Sequence, residues 1–134
     1  MALLKTRYNE ILYFIFRIAI GLFFFLFGIQ KLFGLWGMPG GPAPFATLVW
    51  VAGTAEFLIG LALIFGVFTR LASFFGIIEM IVAFIMGHAL VNGWNPVTNM
   101  GAPAILFMLA FLVTLDYGAG KASLEVALFK KELF

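Results

Sequence analysis

Residues 11–33 read ILYFIFRIAIGLFFFLFGIQKLF, an apolar run broken by only two charges, Arg17 and Lys31. The hydrocarbon core of a bilayer is ~30 Å thick and an α-helix rises 1.5 Å per residue, so ~20 such residues make one crossing. The stretch has that length. It is too long for a signal peptide and lacks a small-residue cleavage site, so it is expected to be retained. Three more apolar segments follow, at residues 47–65, 71–91 and 102–117. Pro103 suits the first turn of the last one, where its missing N–H costs nothing. The fold class is therefore all-α, a four-transmembrane-helix antiparallel bundle forming a single domain over residues 1–134. Residues 34–44 (GLWGMPGGPAP) and 92–101 (NGWNPVTNMG) cannot continue a helix, and residues 66–70 form a tight turn. Residues 118–134 read as an amphipathic tail, with Leu124, Ala127, Leu128 and Leu133 lying on the membrane surface.

Composition points to the same solvent. Of 134 residues, 64% are hydrophobic and 10% charged, and the mean hydropathy is +1.14. Soluble domains average about 25% charged residues, and a fold this small cannot bury so much apolar surface in water. Eight Lys and Arg against six Asp and Glu leave a small positive excess without a basic stripe, so no nucleic-acid partner is expected. With no cysteine, the chain cannot itself exchange disulfides, ligate a metal through thiolate, or hold an iron–sulfur cluster. A single histidine excludes intrachain bis-histidine haem, and no metal site is expected.

The cations set an expected orientation. Lys5, Arg7, Arg17, Arg70, Lys121, Lys130 and Lys131 fall at one end of a four-span bundle and only Lys31 at the other. Both termini are expected in the cytoplasm, with Trp36, Trp50 and Trp94 at the outer end. A plasma-membrane location follows, the prokaryotic inner membrane or its equivalent.

Arg17, Glu56 and Glu79 lie deep in these spans. A charge at bilayer depth costs at least ~2.5–3.5 kcal/mol unless it is paired, neutralised or facing a wet cavity. Arg17, Gly21, Phe24, Gly28 and Lys31 share one helix face by their spacing, as do Gly53, Glu56 and Gly60, and Gly76, Glu79 and Ala83. Small residues let helices approach closely in lipid. The pattern places Arg17, Glu56 and Glu79 in one shared interior, either as a proton or polar network or as a device fixing helix register. One arginine cannot neutralise two carboxylates, and Glu56, being farther from Arg17, is expected to carry the proton. A second polar group at the outer end comprises Gln30, Lys31, His88, Asn92 and Asn95, near Trp36 and Trp94. Its plain reading is interfacial anchoring with a snorkelling lysine; its functional reading is a set of ligand or quinone contacts from Gln30, Lys31, His88 and Asn92.

Taken together, FRIAIGLFFFLFGIQKLFG (residues 16–34), AGTAEFLIGLALIFGVFTRLAS (52–73), His88 at the end of the third span and GAGKASLE (118–125) resemble the DoxX-type membrane proteins. The resemblance implies a four-helix membrane bundle. It also implies a loose association with redox systems, because relatives include a subunit of thiosulfate:quinone oxidoreductase and membrane partners of oxidative-stress and sulfur-transfer proteins. The chain departs from the pattern at the start of the fourth span, where relatives often carry an acid and this chain reads Met100-Gly101-Ala102-Pro103. The expected function is a membrane subunit or anchor of a respiratory, quinone-linked complex, with a protein partner or a homo-oligomer and a quinone as cofactor. At most it is a non-catalytic or quinone-binding subunit of an oxidoreductase, since nothing in the chain carries an electron. A small proton-coupled transporter and a purely structural subunit are the alternatives.

Overall fold

The computed structural model describes residues 2–133. It is 72% helical, with no strand among the described residues. Helix α1 is Ala2–Phe33 and α2 is Leu48–Phe65. Helix α3 spans Thr69–Asn92 and contains a π-helical stretch, Ala83–Ala89. Helix α4 is Ala102–Tyr117, and a short α5 is Leu124–Phe129. Three helices are long and apolar enough to cross a membrane; α4, with 16 residues, is a shorter apolar helix of about 24 Å. The first helix starts well before the expected residue 11. Residues 2–10 contain neither Gly nor Pro, so the apolar span simply continues into a polar helical extension.

The boundaries have local causes. Thr47 caps α2, its Oγ1 accepting from the Trp50 N–H at 3.3 Å. Gly66, at φ 65, ends α2 in the left-handed conformation that glycine adopts without a Cβ penalty. Helix α3 begins behind Phe68, also left-handed at φ 49 and without a capping side chain of its own. That cap comes from the far end of the chain, where Glu125 Oε1 accepts the Phe68 N–H at 3.4 Å.

Helices α1 and α2 form one close antiparallel pair, α3 and α4 a second, and α2 joins them through α3. Glycines seven residues apart on both α1 and α2 bring the first pair together. Gly28 lies against Gly53 and Phe57, and a Cβ on it would fall 2.5 Å from the Phe57 nitrogen and 2.8 Å from the Gly53 oxygen. Gly21 faces Gly60, where a Cβ would fall 2.5 Å from the Phe25 nitrogen. In lipid there is no hydrophobic force between helices, so such backbone contact carries the association. Between the pairs sits an apolar core of Phe24, Ile59, Leu63, Ala72, Met80, Ala104 and Phe111. The outside is apolar too, with Phe23, Leu58, Ile78, Leu106 and Val113 exposed, a surface suited to acyl chains.

The tail departs from the expected surface helix. Only Leu124–Phe129 is helical, and residues 118–133 fold back over one end of the bundle. Leu124, Leu128 and Phe129 do face outward, but Ala119, Ser123 and Glu125 are buried. We call this the tail end, and the opposite end, closed by residues 34–47 and 93–101, the loop end.

Gly28→Leu should lower stability in mixed micelles by about 2–3 kcal/mol, since overpacking displaces two backbones. Gly87, whose added Cβ would meet nothing within 4 Å, is the matched control: Gly87→Ala should shift stability by under about 1 kcal/mol, in the favourable direction. Both are read from denaturant-induced loss of helicity.

Candidate functional site

The buried charges form two groups, not one. At mid-depth, Lys31 Nζ donates to both Glu56 carboxylate oxygens, at 2.6 and 2.5 Å. Glu56 lies eight residues into α2, about 12 Å from its start at 1.5 Å per residue. Lys31 is near the end of α1 and reaches it by turning inward. Gly53 makes this turn possible, because a Cβ there would come 2.8 Å from the Lys31 Cβ. The lysine stem lies along the glycine gap and its ammonium meets the carboxylate one turn deeper. The Glu56 side chain is 6% exposed and that of Lys31 25%. The Lys31 ammonium also lies over the Phe27 ring, 5.6 Å from its centroid.

Glu79 completes the group from α3. Both of its carboxylate oxygens are buried, and neither has a hydrogen-bond partner among the described residues. It lies within electrostatic range of Glu56 and Lys31. Four residues on, the helix widens into its π stretch, and the Ala83 N–H is shared between the Glu79 and Met80 carbonyls. Such irregular turns recur beside functional groups. The group thus holds one ammonium and two carboxyls. Glu56, the carboxyl expected to carry the proton, is the one bonded to the lysine, and Glu79 is the carboxyl without a hydrogen-bond partner among the described residues.

Arg17 belongs elsewhere, which corrects its expected place beside the glutamates. Its Nη1 donates to the Ala119 carbonyl at 2.5 Å and its Nη2 to the Ala122 carbonyl at 2.7 Å, with the residue 1% exposed. The returning tail offers carbonyls to the planar guanidinium fork, and Phe24 follows two turns farther along the same face of α1. Tyr13, one turn before Arg17, donates to the Gly118 carbonyl at 2.5 Å and stacks on Tyr117 at 4.0 Å. Each conspicuous residue of GAGKASLE now has a physical task. Gly118 and Gly120 take φ of 77 and 71; Ser123 caps α5 by accepting from Val126 N at 3.3 Å; Glu125, fully buried, caps α3. Glu132 accepts from the Gly120 N–H at 2.9 Å and faces Arg70 at 3.5 Å. On the open side Lys121 meets Glu10 at 2.5 Å, and that carboxylate holds the Lys121 ammonium above its usual range. Full exposure leaves this contact little weight in stability.

The residues expected to converge at the outer end do not form one site. Lys31 is turned away toward Glu56. Asn92 is exposed. His88 Nδ1 donates to the Asn99 carbonyl at 2.9 Å, which places a proton on Nδ1. Gln30 lines a separate lipid-side groove of about 240 Å³ with Phe23, Leu26, Phe27 and Trp36. The sequence reading overlooked Asn99, which is 1% exposed, donates to the Gly93 carbonyl and accepts from the Gly101 N–H, both at 2.7 Å. Its turn-rich setting, Asn95-Pro96 to Gly101, was the available signal. Among the described residues, no three histidine or acidic side chains are placed to hold a metal ion.

A lipid-facing helical bundle with a buried lysine–carboxylate group defines a small integral membrane protein. The chain belongs to the DoxX family, whose pattern matches residues 12–89. It is 34% identical over 119 residues to an uncharacterized protein of Haemophilus influenzae, covering 86% of this chain and 89% of that one. No solved structure matches.

Lys31→Met should cost about 3–5 kcal/mol, because it strands a buried carboxylate. The double variant Lys31→Met, Glu56→Leu should recover most of that loss, a coupling read from a double-mutant unfolding cycle. Arg17→Met should cost about 3 kcal/mol through two lost charged hydrogen bonds, and should speed trypsin cleavage after Lys121 in intact micelles.

Proposed function

We propose that the protein is a membrane subunit of a quinone-linked redox complex, in which Glu79 exchanges protons under the control of the Lys31–Glu56 pair. The observation that carries this reading is the Glu79 carboxyl, buried at mid-depth without a hydrogen-bond partner beside a bidentate ion pair. The tail end leaves single atoms over (Arg17 Nε, Thr69 Oγ1, Glu125 Oε2), but among the described residues Glu79 is the carboxyl with both oxygens buried and unpaired, so it is available to take up and give back a proton. Because one ammonium faces two carboxyls, a proton on Glu79 leaves the group neutral, and its loss leaves one net negative charge in a poor solvent for it.

The electron chemistry belongs to a partner. With no cysteine and a single histidine, this chain has no redox centre of its own. The open groove of Phe23, Leu26, Phe27, Gln30 and Trp36 fits a quinone head, with aromatic walls, one amide to hydrogen-bond a carbonyl, and an opening to lipid for an isoprenoid tail. A quinone held there would supply a two-electron, two-proton acceptor, with Gln30 as the residue that would hydrogen-bond a carbonyl and Phe23, Phe27 and Trp36 as the walls that would pack against the ring. The cations gathered at the tail end favour a cytoplasmic location for both termini, in the plasma membrane.

Gentle extraction from native membranes should recover the protein with a cofactor-bearing partner and with quinone in the lipid extract. Glu79→Gln should assemble normally yet lower quinone turnover by about 10²–10⁴-fold, the usual worth of a positioned proton-transfer group. Full turnover in Glu79→Gln would remove this residue from the mechanism. Solute accumulation driven by a pH gradient, in vesicles holding this chain alone, would establish transport instead.

A further inference from the structure

The two polar groups are separated by a dry layer. On α1, Arg17, Phe24 and Lys31 are seven residues apart on one face, so Phe24 stands about 10 Å from each cation position along the axis. On α2, Leu63 lies between Glu56 and Gly66 with its Cβ beside Gly21, about one turn nearer the tail end than Phe24. Phe111 of α4 closes the remaining space, and its ring lies so near Gly76 of α3 that a Cβ there would come 2.7 Å from it. Phe24 and Phe111 pack edge to face at 4.8 Å, with exposures of 1% and 0% and 0% for Leu63. On the tail side of this layer Ser73 Oγ meets Thr114 Oγ1 at 2.6 Å and donates to the Thr69 carbonyl at 2.7 Å, and Arg17 donates to the tail carbonyls. Arg17 Nε, Thr69 Oγ1 and Glu125 Oε2 are buried there without a partner among the described residues. Among the described residues Arg17 forms no ion pair with an acidic side chain, whereas Lys31 pairs with Glu56. Within the mid-depth group Glu56 is buried and Lys31 and Glu79 are half-buried, but the Glu79 carboxylate oxygens are covered, whereas Lys31 sits at the loop end with its side chain 25% exposed.

We infer that the Lys31–Glu56–Glu79 group exchanges protons with the loop side of the membrane only, through Lys31, and that the Phe24–Leu63–Phe111 layer closes it to the tail side. This rests on the reading of Glu79 as a proton-exchanging group and adds the direction of exchange. A chain built this way does not pass protons across the bilayer by itself. Its chemical partner, the source or acceptor of those protons, works on the loop side.

The absence of native cysteine allows a direct test. Glu79→Cys, reconstituted in sealed vesicles of defined orientation, is treated from either face with a membrane-impermeant cationic methanethiosulfonate. Modification from the loop side should be roughly 100-fold faster than from the tail side, the factor corresponding to carrying one charge through an apolar layer. Adding Phe111→Ala should raise the tail-side rate and leave the loop-side rate unchanged. Equal rates from both faces, a faster tail-side rate, or no reaction from the loop side would overturn the inference. Proton flux under an imposed potential supplies the second reading: it should be absent in the wild type, present in Phe111→Asn, and suppressed again by adding Glu79→Gln. A conducting wild type, a tight Phe111→Asn, or a leak indifferent to Glu79 would contradict it. None of these results depends on a redox partner being found, so the direction of exchange and the quinone-linked role can fail separately.

Discussion

The Lys31–Glu56 ion pair is the interaction around which the bundle is arranged. Two charges taken from water lose several kcal/mol of solvation each, and recover it only when geometry is close and remaining lone pairs are met. Here the ammonium bonds both carboxylate oxygens, and an aromatic face borders it. That arrangement needs the helix backbones to touch, which needs glycine at 28 and 53. Close packing and charge pairing are therefore one constraint seen twice. A side chain at Gly53 would push away the same lysine stem that the pair depends on.

The tail end solves a different problem by different means. Arg17 finds no carboxylate partner within ion-pairing distance among the described residues; two backbone carbonyls from residues 119 and 122 receive its guanidinium instead. The same segment caps α3 through Glu125 and receives the Tyr13 hydroxyl. The tail thus closes a bundle end whose helix termini would otherwise present unpaired groups near the membrane surface. Between the two ends, Phe24, Leu63 and Phe111 keep the charged groups apart in a medium where their fields would extend far.

Much of the fold was legible in the sequence because apolar length is a strong signal in lipid. Helix α4, at Ala102–Tyr117, starts at the turn residues and proline that mark it, and α2 starts at its Thr47 cap. The depth of Glu56 and Glu79 and the glycine faces beside them were legible for the same reason. What could not be read was partner choice. Lys31 is spaced to share a face with Arg17, but its position two residues from a helix end suits snorkelling equally well; only the gap at Gly53 turns it inward. Arg17 pairs with carbonyls more than 100 residues away, and backbone acceptors leave no trace in side-chain spacing. The burial of Glu125 was hidden because its helix, only six residues long, otherwise looks like a surface element.

The most direct test of the central claim is a nitrogen–carbon distance measurement in lipid bilayers by solid-state NMR, with ¹⁵N at the lysine side chains and ¹³C at the glutamate carboxyls. The account predicts that the Lys31 nitrogen is strongly dephased by the Glu56 carboxyl, at the short range that contacts of 2.5 and 2.6 Å impose, and that Glu56→Gln removes this coupling. A Lys31 nitrogen uncoupled from any carboxyl, with the mobile signal of an ammonium in the headgroup layer, would contradict it.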